Sequence, residues 1–329
     1  MDYRTLGRTG LRVSALGFGC GNVGGLMVRG APAERERAIA RAMELGINYF
    51  DTAPSYGDGL SERHLGLALR ALKADVRVGT KVRLGPVPVA DIPAAIARSL
   101  DESLRRLGLE RVDLLQLHDI IGVPRHGRSL SAKDVLDTVV PALARLVEQG
   151  KTRFYGITAL GDATALRDVL GAGAVHTAQV CYNLLNPTAG HAVPAGFPGQ
   201  DFGRLLSPCR ERNTGVIVIR VLAAGALSGI DARHPVAVPE VDPIASGPDY
   251  ATDVRRTRAL AALVQEGHAE SLVEASLRFA LASDAVSIVL LGYSSQEHLE
   301  YAATCVARGP LPAAAMARLP GLWERLAQA

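Results

Sequence analysis

The chain has 329 residues, 48% hydrophobic and 21% charged, with 36 Lys plus Arg against 33 Asp plus Glu for a formal net charge of +3. These values exclude a disordered or fibrous chain and leave ample length for one large α/β core. The charges are scattered without a basic run or stripe, which argues against nucleic acid. No apolar stretch is long enough to span a membrane and the polar start lacks a signal-peptide core, so the expectation is a soluble, cytoplasmic protein.

In chain order, Tyr3–Leu6 and Leu11–Ser14 flank Gly7-Arg8-Thr9-Gly10, a β-hairpin pattern with glycines where positive φ is needed. Such a hairpin is placed to plug one end of whatever follows. Eight short, nearly all-apolar runs come next: Ala15–Gly19, Asn48–Asp51, Val76–Lys81, Val112–His118, Phe154–Thr158, Thr177–Tyr182, Gly215–Val221 and Ser287–Leu291. Strands covered on both faces read this way. Between them run amphipathic segments of period near 3.6, with Ile96, Leu100, Leu104 and Leu107 on one face and Val135, Val139, Leu143 and Leu146 on another. Pro86 and Pro88 precede the helix after the third strand, and Gly150 closes the one before the fifth. Eight βα units predict a (β/α)8 TIM barrel with an N-terminal β-hairpin, as one domain over residues 1–329. Two irregular segments, 186–200 and 228–249, are longer than structural connections usually are and are expected to serve function.

The run Gly19-Cys20-Gly21-Asn22-Val23-Gly24 matches GxGxxG after a strand, with Asp51 ending the next, so a Rossmann domain has to be weighed. In that fold the glycines open directly into a helix. Here Gly25, Gly30 and Pro32 prolong the loop until helical periodicity begins near Ala33, and eight units exceed one Rossmann sheet. The four cysteines, Cys20, Cys181, Cys209 and Cys305, lie far apart with no CxxC, and no HExxH occurs. Reduced structural thiols and no metal site are the expectation.

A closed parallel barrel carries its chemistry at the C-terminal ends of its strands. Asp51, Lys81 and His118 each close a different strand, and Tyr56 follows Asp51 in the loop Asp51-Thr52-Ala53-Pro54-Ser55-Tyr56-Gly57. Singly, each has a bland explanation as a helix cap or a solvated strand end; converging at one mouth, they read as a site. An adjacent ammonium favours the anionic form of a phenol, so Lys81 would equip Tyr56 to give or take a proton. Asp51 would fix Lys81 by a charge-assisted hydrogen bond, and His118 would orient the carbonyl or hydroxyl oxygen. Hydride must come from a cofactor, since no side chain carries it.

With Tyr49-Phe50-Asp51-Thr52-Ala53-Pro54-Ser55-Tyr56-Gly57, Ser61-Glu62, Thr80-Lys81-Val82 and Leu114-Leu115-Gln116-Leu117-His118 in place, the chain resembles the aldo-keto reductases over nearly its whole length. That resemblance implies a barrel binding NAD(P)H extended, without a Rossmann fold, and the four roles just derived. It also implies a cofactor seat drawn from Gly19, Cys20, Thr158, Gln179, Arg220, Leu222, Gly225, Gly292, Ser294, Ser295 and His298. Some positions depart from the family pattern. Ala159 stands where Asn would hold the carboxamide, and Ile219 where an aromatic ring would stack. Arg220 replaces Ser and is expected near the cofactor phosphates. Glycine and His298 replace the Lys and Arg that clamp the extra phosphate of NADP, which favours NAD or dual use.

Within the family, His118-Asp119-Ile120 and Gln149–Thr158 resemble sugar 1-dehydrogenases of the L-galactose, L-fucose and D-threo-aldose kind. The implied reaction oxidises an aldose at the anomeric carbon to a lactone. Two other uses stay open: a general aldehyde or ketone reductase on the same residues, and a cofactor-sensing regulatory subunit like the β-subunits of voltage-gated potassium channels, which share the fold.

Overall fold

The computed structural model describes residues 1–122 and 129–328. Eight strands form one closed, all-parallel barrel: β1 (Leu16–Gly19), β2 (Tyr49–Asp51), β3 (Arg77–Val82), β4 (Val112–Leu117), β5 (Thr152–Ala159), β6 (Thr177–Cys181), β7 (Gly215–Ile219) and β8 (Val286–Gly292). Each pairs with its neighbour in chain order, and β8 returns to β1 through Val289↔Leu16 to Gly292↔Gly19. All eight predicted runs are strands, with ends shifted by one or two residues.

Helices sheathe the barrel because their buried residues recur at helical spacing. α1 (Pro32–Glu44), α2 (Leu60–Ala71) and α3 (Ile92–Leu107) follow β1 to β3. On α3, Ile92, Ile96, Leu100, Leu104 and Leu107 are buried, and Gly108, in left-handed backbone at φ 65°, ends the helix. Among the described residues no helix is long and apolar enough to cross a membrane. The four cysteines are free and buried.

The hairpin forms from Tyr3–Thr5 against Arg12–Ser14, joined by a 3-10 turn over Gly7–Thr9. It seals the N-terminal end of the barrel. Leu6, Leu11 and Val13 pack with Tyr49, Leu114, Ile217 and Ile288 in a small core of their own, separate from the layer between strands and helices. Each buried aliphatic side chain there contributes about 1.5–3 kcal/mol.

Two expectations need correction. The glycine loop after β1 does not run unbroken to Ala33: one helical turn, Leu26–Arg29, starts directly after Gly25. The Val135–Leu146 stripe is buried as expected, yet its helix is interrupted by a π turn over Val135–Val139 before α4 (Val140–Glu148). Pro141 lacks the N–H that would bond the carbonyl four residues earlier, so the preceding turn widens.

Segment 228–249 is irregular, as anticipated, and lies as a strap across the loop that follows β1. Arg29 Nε donates to Val236 O at 2.8 Å, and Val238 N to Val23 O at 3.3 Å. Arg233 donates to Val238 O at 2.6 Å and Ala224 O at 3.0 Å.

Candidate active site

Asp51 ends β2 and is 2% exposed; Lys81, near the end of the adjacent β3, is 1% exposed. Lys81 Nζ donates to Asp51 Oδ1, to Thr52 O at 2.8 Å and to the Tyr56 hydroxyl at 3.2 Å. An ammonium has three hydrogens, and here all three have acceptors. The Tyr56 oxygen is therefore an acceptor toward Lys81, and its own hydrogen is left to face the cavity.

The other carboxylate oxygen of Asp51 accepts from Tyr49 Oη at 3.1 Å and from Gln179 Nε2 at 2.7 Å. Burial pushes Asp51 upward, opposed first by Lys81 and then by these donors. Burial also acts against the Lys81 charge, but Asp51 outweighs it and holds Lys81 above the usual lysine range. A buried ion pair survives when its remaining hydrogen-bonding capacity is met, as it is here.

Tyr56 is hooked back over the barrel by three left-handed residues, Gly57, Asp58 and Gly59, before α2 begins. The loop is braced from beneath. Buried Glu62 accepts from Thr80 Oγ1 and from Arg106 Nε, both at 2.6 Å, and Ser61 Oγ donates to Cys20 O at 2.8 Å. Gly21 faces the Tyr56 ring, where an added Cβ would sit 3.6 Å from the ring carbons.

His118 follows β4, its ring 6.0 Å from that of Tyr56 and nearly perpendicular at 89°. Burial, then Lys81 and Arg83, push its pKa down to about 3, so the ring is neutral at working pH and offers one N–H donor. Its protonation step near 6.5 should accordingly be missing from an NMR titration between about pH 5 and 8. Because the unfolded chain takes that proton near 6.5 and the folded ring only near 3, stability above about pH 6.5 is indifferent to this group. Denaturant midpoints should fall as pH drops from about 6.5 toward 3, less so in His118→Gln.

Beside His118 lies a cleft of about 400 Å³ lined by Pro54, Ser55, Arg83, Leu84, Pro86 and Ser99, among others. Its wall is pinned by Asp119, which accepts from Leu84 N at 2.8 Å and Gly85 N at 3.1 Å.

The anticipated cofactor residues fall into groups. Thr158 and Gln179 are paired on adjacent strands and touch, Thr158 Oγ1 donating to Gln179 Oε1 at 3.4 Å, with the Gln179 nitrogen committed to Asp51. A hydroxyl beside an amide oxygen that keeps a second lone pair complements a nicotinamide carboxamide, which presents one carbonyl and one NH2 group, so the polar set fits that cofactor. Gly19, Gly292 and Ser294 gather where β1 and β8 meet; Ser294 Oγ donates to Gly24 O at 2.7 Å. Ser295 caps α5 (Gln296–Ala307), accepting from His298 N at 3.3 Å, and the His298 ring meets His234 of the strap at 5.6 Å.

Cys20 is buried, at 1% exposure; burial pushes its thiol pKa up, its N–H donates to Asp51 O, and its carbonyl accepts from Ser61 Oγ. Leu222 and Gly225 flank a kinked turn in which Ala223 and Ala224 also have positive φ. Arg220, at φ 55°, reaches the strap, donating to Asp242 O at 3.1 Å. Burial lowers its pKa, and Cys181, Tyr56 and Asp242 oppose that.

Sequence reasoning passed over Tyr49, Gly79, Asp119 and Arg83. Tyr49 had a signal: two residues before Asp51 on one strand, it must share that face. Gly79 gives Tyr49 room, since a Cβ there would lie 2.4 Å from Tyr49 Oη. The glycines of the GxGxxG look-alike have a packing reason too. A Cβ on Gly24 would come within 2.6 Å of the Gly292 and Tyr293 backbone, so Gly24→Ala should cost about 1–3 kcal/mol in chemical unfolding.

Comparison with known proteins agrees with this geometry. The sequence profile of the Aldo/keto reductase family matches residues 15–324. The chain is 32% identical to L-galactose dehydrogenase of Arabidopsis thaliana over 308 residues, covering 91% of this chain and 86% of that protein. It is 30% identical to D-threo-aldose 1-dehydrogenase of a Pseudomonas species over 352 residues, covering 97% and 95%. An aldo-keto reductase from Bacillus halodurans in its holo form superposes with a TM-score of 0.71 at 26% identity, over 99% of this chain and 96% of that one. With the profile spanning the whole barrel and two such relatives at 30% identity or more, the protein belongs to the aldo/keto reductase family of NAD(P)-dependent oxidoreductases.

Proposed function

We propose that the chain, acting as one domain, interconverts a hydroxyl and a carbonyl with Asp51, Tyr56, Lys81 and His118 as its proton-handling group, and that it oxidises an aldose at the anomeric carbon to a lactone. The observation that carries the first part is the saturated Lys81 ammonium, which leaves the Tyr56 hydrogen facing the cavity. The similarity to two sugar dehydrogenases supports the second.

Bound nicotinamide supplies or accepts the hydride. Thr158 and Gln179 would hold its carboxamide, and the Gly292–His298 segment its adenosine end. His118 donates its N–H to the substrate oxygen and places it against Tyr56. In the oxidative direction the hydroxyl proton passes to Tyr56 in its tyrosinate form, whose negative charge the adjacent Lys81 ammonium meets; in reduction the neutral phenol gives its proton to the developing alkoxide. General acid–base transfer of this kind contributes about 10²–10⁴-fold to rate.

Glycine and His298, standing in place of two permanent cations, favour NAD over NADP. The test is a screen of aldoses with NAD⁺ and NADP⁺, following reduced-cofactor absorbance, with lactone identified in the product. Lactone formation with NAD⁺ supports the reading; brisk reduction of simple aldehydes with no turnover of any sugar overturns the sugar assignment and favours a general carbonyl reductase.

A further inference from the structure

Among the described residues, the cleft beside His118 contains one permanent cation, Arg83, two residues beyond Lys81 at the exit of β3. Among the described residues its guanidinium makes no ion pair and donates no hydrogen bond, whereas Lys81 is fully engaged. Asp119 does not neutralise it by contact, because that carboxylate is held by the Leu84 and Gly85 amides, one on each oxygen. The same two bonds fix the backbone that carries Arg83.

The charge acts inside the cleft. Arg83 is among the groups that lower His118 and Asp119, so its field reaches both walls. Pro54, Leu84 and Pro86 supply apolar surface beside it, against which the rest of a small substrate can lie. A guanidinium presents five donors in a fork that matches two anionic oxygens. An exposed arginine is ordinarily content in solvent. This one shares a cleft of about 400 Å³ with the ring expected to hold the reacting oxygen, so one small molecule spans both groups.

We propose that Arg83 anchors an anionic substituent, a carboxylate or a phosphate, of the substrate whose carbonyl or hydroxyl oxygen is held by His118 and Tyr56. The proposal rests on the reaction assigned above and narrows its substrate class to acidic aldehydes or aldoses.

Matched pairs test it: succinic semialdehyde against butyraldehyde for a carboxylate, and glyceraldehyde 3-phosphate against glyceraldehyde for a phosphate. Steady-state kinetics are run on the wild type, Arg83→Met and Arg83→Lys, and calorimetry with non-reacting succinate and inorganic phosphate supplies a readout without turnover. The expected result is a preference for one acidic member that falls about 10- to 100-fold in Arg83→Met, mainly through KM, and is partly kept in Arg83→Lys. The pair that responds tells carboxylate from phosphate. Equal losses on acidic and neutral members, or no wild-type preference, overturn the proposal. If no substrate turns over, the reaction assignment fails by itself; succinate or phosphate binding lost in Arg83→Met then still supports the anion seat, and binding unchanged in that variant removes it. Circular dichroism of Arg83→Met should match wild type, since no described partner is lost.

Discussion

Replacing Tyr56 with Phe should lower kcat by about 10²–10⁴-fold with KM and cofactor binding nearly unchanged. The hydroxyl is the only Tyr56 feature removed: its hydrogen is the one the Lys81 bonding pattern leaves directed at the cavity, and its oxygen is one of the three acceptors of Lys81 Nζ. The ring, its edge toward His118 and its packing against Gly21 all remain in phenylalanine. Stopped-flow kinetics with a deuterated hydride donor separate the hydride step from binding. A variant that kept more than about a tenth of wild-type turnover would remove Tyr56 from the proton path.

The second large effect concerns Lys81→Met. It deletes one member of a pair buried to within 2% exposure and leaves Asp51 held only by Tyr49 and Gln179. Breaking such a pair costs about 3–5 kcal/mol because an uncompensated charge stays buried. Unfolding in urea should show a loss of that size, along with near-complete loss of turnover. The companion variant Asp51→Asn with Lys81→Met removes both charges, and its stability should recover much of the loss while its activity does not. Recovery of both would mean the pair serves only the fold.

The barrel was readable because each strand is a short apolar run between amphipathic helices, a pattern few other folds share. The candidate site was readable for a related reason: Asp51, Lys81 and His118 are polar residues at the ends of such runs, where a core strand has no use for them. What escaped notice depends on register and on bonds between distant segments. Tyr49 reads as one more apolar strand residue until its hydroxyl is seen on Asp51, and Asp119 gains its meaning only from two amides 34 and 35 residues away. Gly19 and Gly24 look like a phosphate loop in sequence because close backbone packing and phosphate cradling ask for the same residue. The one-turn helix after Gly25 and the π turn before α4 are local accommodations, the latter to Pro141, that period counting alone passes over.

The strap offers a last consequence. Its fastenings, from Arg29 and Arg233, end on main-chain carbonyls at Val236, Val238 and Ala224, so no strap side chain supplies an acceptor for either arginine. Arg233 belongs to the strap itself, so apart from that residue the clasp is largely blind to what the strap is made of. Evolution, or an engineer, is free to rewrite residues along it to suit new substrates while two arginines keep the mouth of the barrel fastened.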